Sequence, residues 1–180
     1  FKAFAGVDAF PICLDTQDTE EIIKTVKYLA PNFGGINLED ISAPRCFEIE
    51  ARLKAELNIP VMHDDQHGTA MVVLAGLINA IKLRGLSKED AKILINGAGA
   101  AGLAITDLLL HYGFQNIIVC DSKGSIYEGR EDLNDAKIKY AKLTNRQLIN
   151  APLSEAIKEQ NIFIGVSLGG VLTEEMVSTM

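Results

Sequence analysis

The amino-acid sequence predicts an α/β protein with parallel sheets, and three observations predict it. Short β-branched runs alternate with apolar segments of helical period, the pattern of successive βαβ units. Gly97, Gly99 and Gly102 stand directly between an apolar run and an apolar helix, the setting in which a G-x-G-x-x-G turn binds a dinucleotide. Two earlier strands run straight into acidic pairs, Glu39-Asp40 and Asp64-Asp65. Together these predict a three-layer parallel-sheet region for metal and substrate over residues 1–85, followed by a Rossmann-type dinucleotide-binding domain over residues 86–180.

In chain order, Val7 to Leu14 is a β-branched and aromatic run and is expected to be a strand. Asp18 or Thr19 then caps a helix carrying Ile22, Ile23, Val26 and Leu29, which Pro31 and Gly34 end. A short strand, Gly35 to Leu38, leads into Glu39-Asp40. A helix from about Pro44 carries Phe47, Ile49, Leu53 and Leu57. A third strand, Ile59 to Met62, leads into Asp64-Asp65, and a long helix is expected from about Gly68 to Leu83. Gly85 to Asp90 is a polar break and the one plausible domain boundary. Beyond it, a strand at Lys92 to Ile95, a helix from about Ala100 to Leu110 and a strand at Asn116 to Cys120 make a new βαβ unit. A helix near Asn134 to Lys142, another around Ser154 to Glu159, a strand at Ile162 to Val166 and a helix over Leu172 to Met180 complete the chain.

Composition narrows the function classes. A hydrophobic content of 48% in 180 residues excludes wholesale disorder. A net charge of −7 argues against a nucleic-acid partner, which would need clustered Lys and Arg. The most apolar segment, Gln66 to Ile81, falls short of the roughly 20 residues a bilayer crossing needs and reads as a buried helix. Cys13, Cys46 and Cys120 lie far apart in apolar stretches, which suits buried free thiols in a reducing, cytoplasmic setting.

The glycine turn has a specific physical reading. The first glycine permits the tight turn, the second lets backbone N–H groups reach a pyrophosphate, and the third lets the helix sit close on the strand with its dipole facing the phosphates. Ala98, Ala100 and Ala101 keep that approach open. Asp121 lies 19 residues beyond Gly102, near the spacing of about 20 expected of an acid that holds ribose hydroxyls. Its charge favours NAD slightly, while Lys123 and Arg130 just beyond it could accommodate NADP.

In open α/β sheets, ligands bind beyond the carboxyl ends of strands, where both acidic pairs lie. A carboxylate set selects a hard cation, Mg²⁺ or Mn²⁺, over zinc. Neighbouring residues on a strand face opposite ways, so both members of a pair serve one ion only where strand gives way to loop, as at Glu39-Asp40. His63 and His67 are four apart but lack the glutamate of a zinc helix.

The segments Phe4 to Pro11, Gly35 to Ile41, His63 to Ala70 and Asn96 to Gly102 closely resemble the malic enzymes, in particular the shorter bacterial type, and the resemblance spans essentially the whole chain. It implies oxidative decarboxylation of malate to pyruvate and CO₂, with NAD or NADP reduced and Mn²⁺ or Mg²⁺ required. It assigns Glu39, Asp40 and Asp65 to the metal, and Asp64 to the support of a catalytic lysine. Gly97, Ala98, Gly99, Ala100, Ala101 and Gly102 fall to the pyrophosphate. It implies a homodimer. In the family a tyrosine acid and a lysine base precede the position of Phe1, and an asparagine loop follows that of Met180. The chain is therefore expected to be an internal portion of a longer protein, inactive alone. Two other readings fit the layout: a metal-independent amino-acid dehydrogenase-like enzyme, and a non-catalytic nucleotide-binding module.

Overall fold

The computed structural model describes all residues 1–180. Helix α1 (Lys2–Ala5) is followed by α2 (Thr19–Leu29), strand β1 (Ile36–Leu38), α3 (Arg45–Glu56), β2 (Val61–His63) and α4 (Asp64–Arg84). Strand β3 (Lys92–Asn96), α5 (Ala100–Tyr112), β4 (Asn116–Asp121), β5 (Gly124–Ser125), α6 (Asp135–Leu143), α7 (Leu153–Ala156), β6 (Ile162–Gly165) and α8 (Glu174–Ser178) follow. The Asp18 carboxylate caps α2 by accepting from the Glu21 N–H at 2.9 Å. Asn134 caps α6 in the same way, accepting from the Lys137 N–H at 3.0 Å.

Two sheets organise the chain. Strands β1 and β2 pair in parallel with Leu38 opposite His63. Ile22, Ile23 and Val26 of α2 and Ile49 and Leu53 of α3 form one core with Leu38 and Val61. The second sheet has the order β5-β4-β3-β6, with β3 parallel to both β4 and β6 and a short antiparallel β5 at the edge. Ile93, Ile95, Ile117 and Val119 are fully buried or nearly so against Ile105, Leu109 and Phe114. Each such side chain contributes about 1.5–3 kcal/mol of burial. Strands covered on both faces read as unbroken apolar runs, which is why these were visible in the sequence.

The structure corrects four sequence-based expectations. Val7 to Leu14 forms no strand: no neighbouring strand takes its N–H and C=O groups, and Val7, Phe10, Ile12 and Leu14 are exposed. Cys13 within it is exposed rather than buried, whereas Cys46 and Cys120 are buried and all three thiols are free. Burial pushes the Cys120 thiol up to about 12, so it is protonated and unreactive. The long helix begins at Asp64, not near Gly68, because two acids in a first helical turn complement its dipole and the strand passes into helix with no loop. That helix is not buried all round either. Ala70 and Leu77 join the core of the second sheet, while Met71 and Val72 are exposed. No helix is long and apolar enough to cross a membrane.

The glycine turn is held by close backbone approaches. A Cβ on Gly102 would overlap the Gly97 carbonyl oxygen, and one on Gly97, whose φ is +126°, would stand 2.7 Å from the Val166 oxygen. A Cβ on Gly99 meets nothing within 4 Å. Gly102→Ala is therefore expected to destabilise the fold by about 1–3 kcal/mol or more through overpacking. Gly99→Ala should stay within about 0.5 kcal/mol of the parent, and thermal unfolding of the two variants checks both.

Candidate functional site

The parallel register sets the first half of the site. With Leu38 paired to His63, Glu39-Asp40 and Asp64-Asp65 leave the sheet side by side at its carboxyl edge. Asp40 adopts a left-handed conformation, φ 56°, which aspartate tolerates better than most residues. In that conformation its N–H donates to Asp65 Oδ2 at 3.2 Å. Glu39 Oε1 accepts the Asn37 amide at 2.8 Å. Asp64 leans forward along α4, so close to Gly68 that a Cβ there would collide with its Oδ1. Both acids of the second pair are helical, so they diverge by the helical turn between neighbours rather than by strand alternation.

The structure thus links the Asp40 backbone to the Asp65 carboxylate and does not gather the Glu39, Asp40 and Asp65 side chains into one cluster. No group of three or more His, Cys, Asp or Glu side chains is arranged to hold a metal ion. The donor chemistry nonetheless fits a hard cation: exposed carboxylates at adjacent strand ends, with no thiolate among them.

The second half lies at the carboxyl end of β3. The α5 N-terminus has no side-chain cap and no acid in its first turn, so its free N–H groups and dipole face outward over Gly99, where there is open space. That arrangement fits a pyrophosphate. Asn96, buried at the end of β3, donates to Ser167 Oγ at 2.8 Å and ties the turn to the segment following β6.

Asp121 ends β4 as expected, but its carboxylate is already occupied. Oδ1 accepts from the Lys123 N–H at 3.0 Å and Arg130 Nη2 at 3.0 Å, and Oδ2 accepts from Arg130 Nη2 at 3.1 Å and Lys137 Nζ at 2.7 Å. Burial favours its neutral form, yet hydrogen bonds from Lys137, the Lys123 backbone and Arg130 prevail and hold the carboxyl below its ordinary value. Asp132 accepts from Arg130 Nε at 2.6 Å and Lys123 Nζ at 2.6 Å. The corner is a network of three cations and two carboxylates.

Sequence reasoning missed one further cluster. Glu50 is buried beside Ile49 and Leu53 on the inner face of α3 and gathers donors from Lys54, His63, Gln66 and His67. An acid at a position where α3 presents its apolar stripe was the available signal.

Fold and site define a dinucleotide-binding α/β protein with an acidic strand edge beside the nucleotide domain. Residues 66–180 match the family model for the malic enzyme NAD-binding domain, and residues 16–54 match the model for the malic enzyme N-terminal domain. The chain belongs to the malic enzyme family. It is 59% identical over its whole length to a bifunctional malic/malolactic enzyme of Bacillus subtilis and 58% identical to an NAD-dependent malic enzyme of Geobacillus stearothermophilus. It spans 44% and 38% of those two proteins. A crystal structure of an NAD-dependent malic enzyme from Thermotoga maritima superposes with a TM-score of 0.96 at 48% identity, over 99% of this chain and 48% of that one.

The Asp121 network has a pH signature. A carboxyl held below its unfolded value of about 3.9 contributes stability that is complete above that value and is lost as pH falls through the lower folded value. Asp121→Asn should lower stability at neutral pH by about 1.5–3 kcal/mol, the usual worth of charged hydrogen bonds. Its stability should also fall less steeply than the parent's below about pH 4. Denaturant titrations across that range check both effects.

Proposed function

We propose that the complete protein containing this chain catalyses the oxidative decarboxylation of malate to pyruvate and CO₂ with reduction of NAD or NADP, dependent on Mn²⁺ or Mg²⁺. The observation that carries the reading is the common sheet edge shared by Asp40 and Asp65, one helix away from an uncapped dinucleotide turn. Glu39, Asp40 and Asp65 are the residues that would hold the ion. Gly97, Ala98, Gly99, Ala100, Ala101 and Gly102 would hold the pyrophosphate, their small side chains leaving the backbone N–H groups accessible.

A bound nicotinamide would supply hydride-acceptor chemistry, and a divalent ion held by Glu39, Asp40 and Asp65 would supply Lewis acidity. The chain's own residues supply position. The Asp40 backbone N–H donates to the Asp65 carboxylate, which ties the Asp65 side chain to the end of β1. Helix α4 carries the acids at one end and packs through Ala70 and Leu77 into the nucleotide-domain core, which sets the distance between the two halves of the site. Asp64 we assign to the support of a general base outside residues 1–180.

The Asp121 corner bears on the choice of nucleotide. An acid neutralised by Arg130 and Lys137 has little charge left to repel a 2′-phosphate, so the lean toward NAD drawn from Asp121 alone loses its electrostatic basis. We propose a pyridine nucleotide held there by the network as a whole. The assembly we propose is a homodimer, as the family resemblance implies.

Two measurements test the reading in the complete protein. Asp65→Asn should weaken Mn²⁺ binding at least about tenfold and reduce malate-dependent reduction of NAD or NADP by a factor of about 100 or more, while nucleotide affinity is retained. Manganese binding followed by paramagnetic resonance and turnover followed by absorbance separate these effects; unchanged Mn²⁺ affinity would remove Asp65 from the ligand set. Gly68→Ala displaces the Asp64 carboxylate and should lower kcat by about tenfold, the scale of a small misplacement, with Mn²⁺ affinity unchanged.

A further inference from the structure

Glu50 is 6% exposed and is surrounded by donors. Oε1 lies 2.8 Å from Lys54 Nζ in an ion pair and accepts from the His63 N–H at 3.1 Å, and Oε2 accepts from His67 Nε2 at 2.9 Å and Gln66 Nε2 at 3.3 Å. Burial pushes its carboxyl up, but hydrogen bonds from Lys54 and His67 outweigh this and hold it below the ordinary value. It is therefore an anion at neutral pH.

A buried anion decides how Gln66 is turned. Its amide oxygen cannot face a carboxylate without repulsion, so the amide nitrogen must. The other hydrogen on that nitrogen meets His63 Nδ1 at 3.2 Å. An imidazole that accepts at Nδ1 carries its proton on Nε2. His63 Nε2 is fully buried, has no hydrogen-bond partner in the chain and lies 3.6 Å from Asp65 Oδ2. That is just beyond hydrogen-bond reach, and Asp65 is exposed and free to close it. Leaving such a donor unpaired is unfavourable.

We propose that Glu50, Gln66 and His63 form a relay that fixes His63 as an Nε2–H donor and so positions the Asp65 carboxylate. The Asp40 N–H and the His63 Nε2 both address Oδ2 of Asp65, which leaves Oδ1 as the oxygen turned to a divalent cation. That last step rests on the metal assignment made above; the relay itself does not. His63 is a positioning residue.

The experiment uses the complete protein labelled with ¹⁵N histidine and ¹³C aspartate. The expected wild-type result is a His63 ring that accepts at Nδ1 and carries its proton on Nε2, with Gln66→Leu releasing the tautomer to a mixture and shifting the Asp65 carboxyl resonance. His63→Leu should weaken Mn²⁺ binding about 10–100-fold, the usual effect of an outer partner to a ligand, with nucleotide affinity unchanged and part of the loss recovered by His63→Gln, which keeps an N–H donor. Should His63→Leu not fold, Gln66→Leu keeps the imidazole in place and still reports on the relay. A wild-type His63 protonated at Nδ1, or a tautomer indifferent to Gln66→Leu, overturns the relay. A wild type that binds no Mn²⁺ but shows the expected tautomer and Asp65 shift overturns the metal assignment and leaves the relay standing.

Discussion

Four carboxylates delivered to two neighbouring strand ends repel one another, and the first half of the chain is organised around that constraint. Two like charges about 4 Å apart interact by about 4 kcal/mol at the effective dielectric of a protein surface. The structure meets this with backbone rather than with cationic side chains. Helix α4 starts at Asp64, so both acids of the second pair sit in a first turn whose dipole stabilises each by about 0.3–1 kcal/mol. The left-handed Asp40 turns its own N–H onto Asp65. Cationic partners would have cancelled the charge that makes the edge attractive to a divalent ion; N–H dipoles steady the acids and leave the charge in place.

The same helix joins the acidic edge to the nucleotide turn. Its first turn follows directly on β2, and its Ala70 and Leu77 belong to the core that also holds Ile93, Ile105 and Leu109. Helix α5 packs against it and begins at the glycine turn, where the separation of helix and strand is set by the absence of a Cβ at Gly102. A displacement of either helix therefore moves one half of the site against the other. Cores packed this tightly resist such movement, so the fold itself sets the relative placement of the acids and the dinucleotide.

What was legible in the sequence follows burial. Strands β3 and β4 are covered on both faces, so their residues are apolar almost without interruption and their bounds emerged nearly as the structure has them. Legibility failed where an element depends on partners distant in sequence. Val7 to Leu14 has the composition of a strand but no strand beside it. The two-residue β5 is made by pairing with β4 and carries no pattern of its own. The start of α4 was hidden because Asp-Asp reads as a loop and Gly68 reads as a helix start, while in the structure the glycine makes room for the Asp64 carboxylate. At the site, the acidic pairs and the glycine turn were visible as motifs. The donors that determine what each acid does were not.

Those donors separate three carboxylates that look equivalent in the sequence. Glu50 has both oxygens filled from within the chain and is buried, so it can act only by orienting its neighbours. Asp121 also has both oxygens filled, by partners 9 and 16 residues farther on as well as by its own turn, and is structural support for the corner at the end of β4. Asp65 accepts at one oxygen alone and remains exposed. A carboxylate binds a ligand through lone pairs the protein has not already used. By that measure Asp65 keeps an oxygen open while Glu50 and Asp121 do not, a distinction that depends on long-range hydrogen bonding and cannot be read from residue type or spacing.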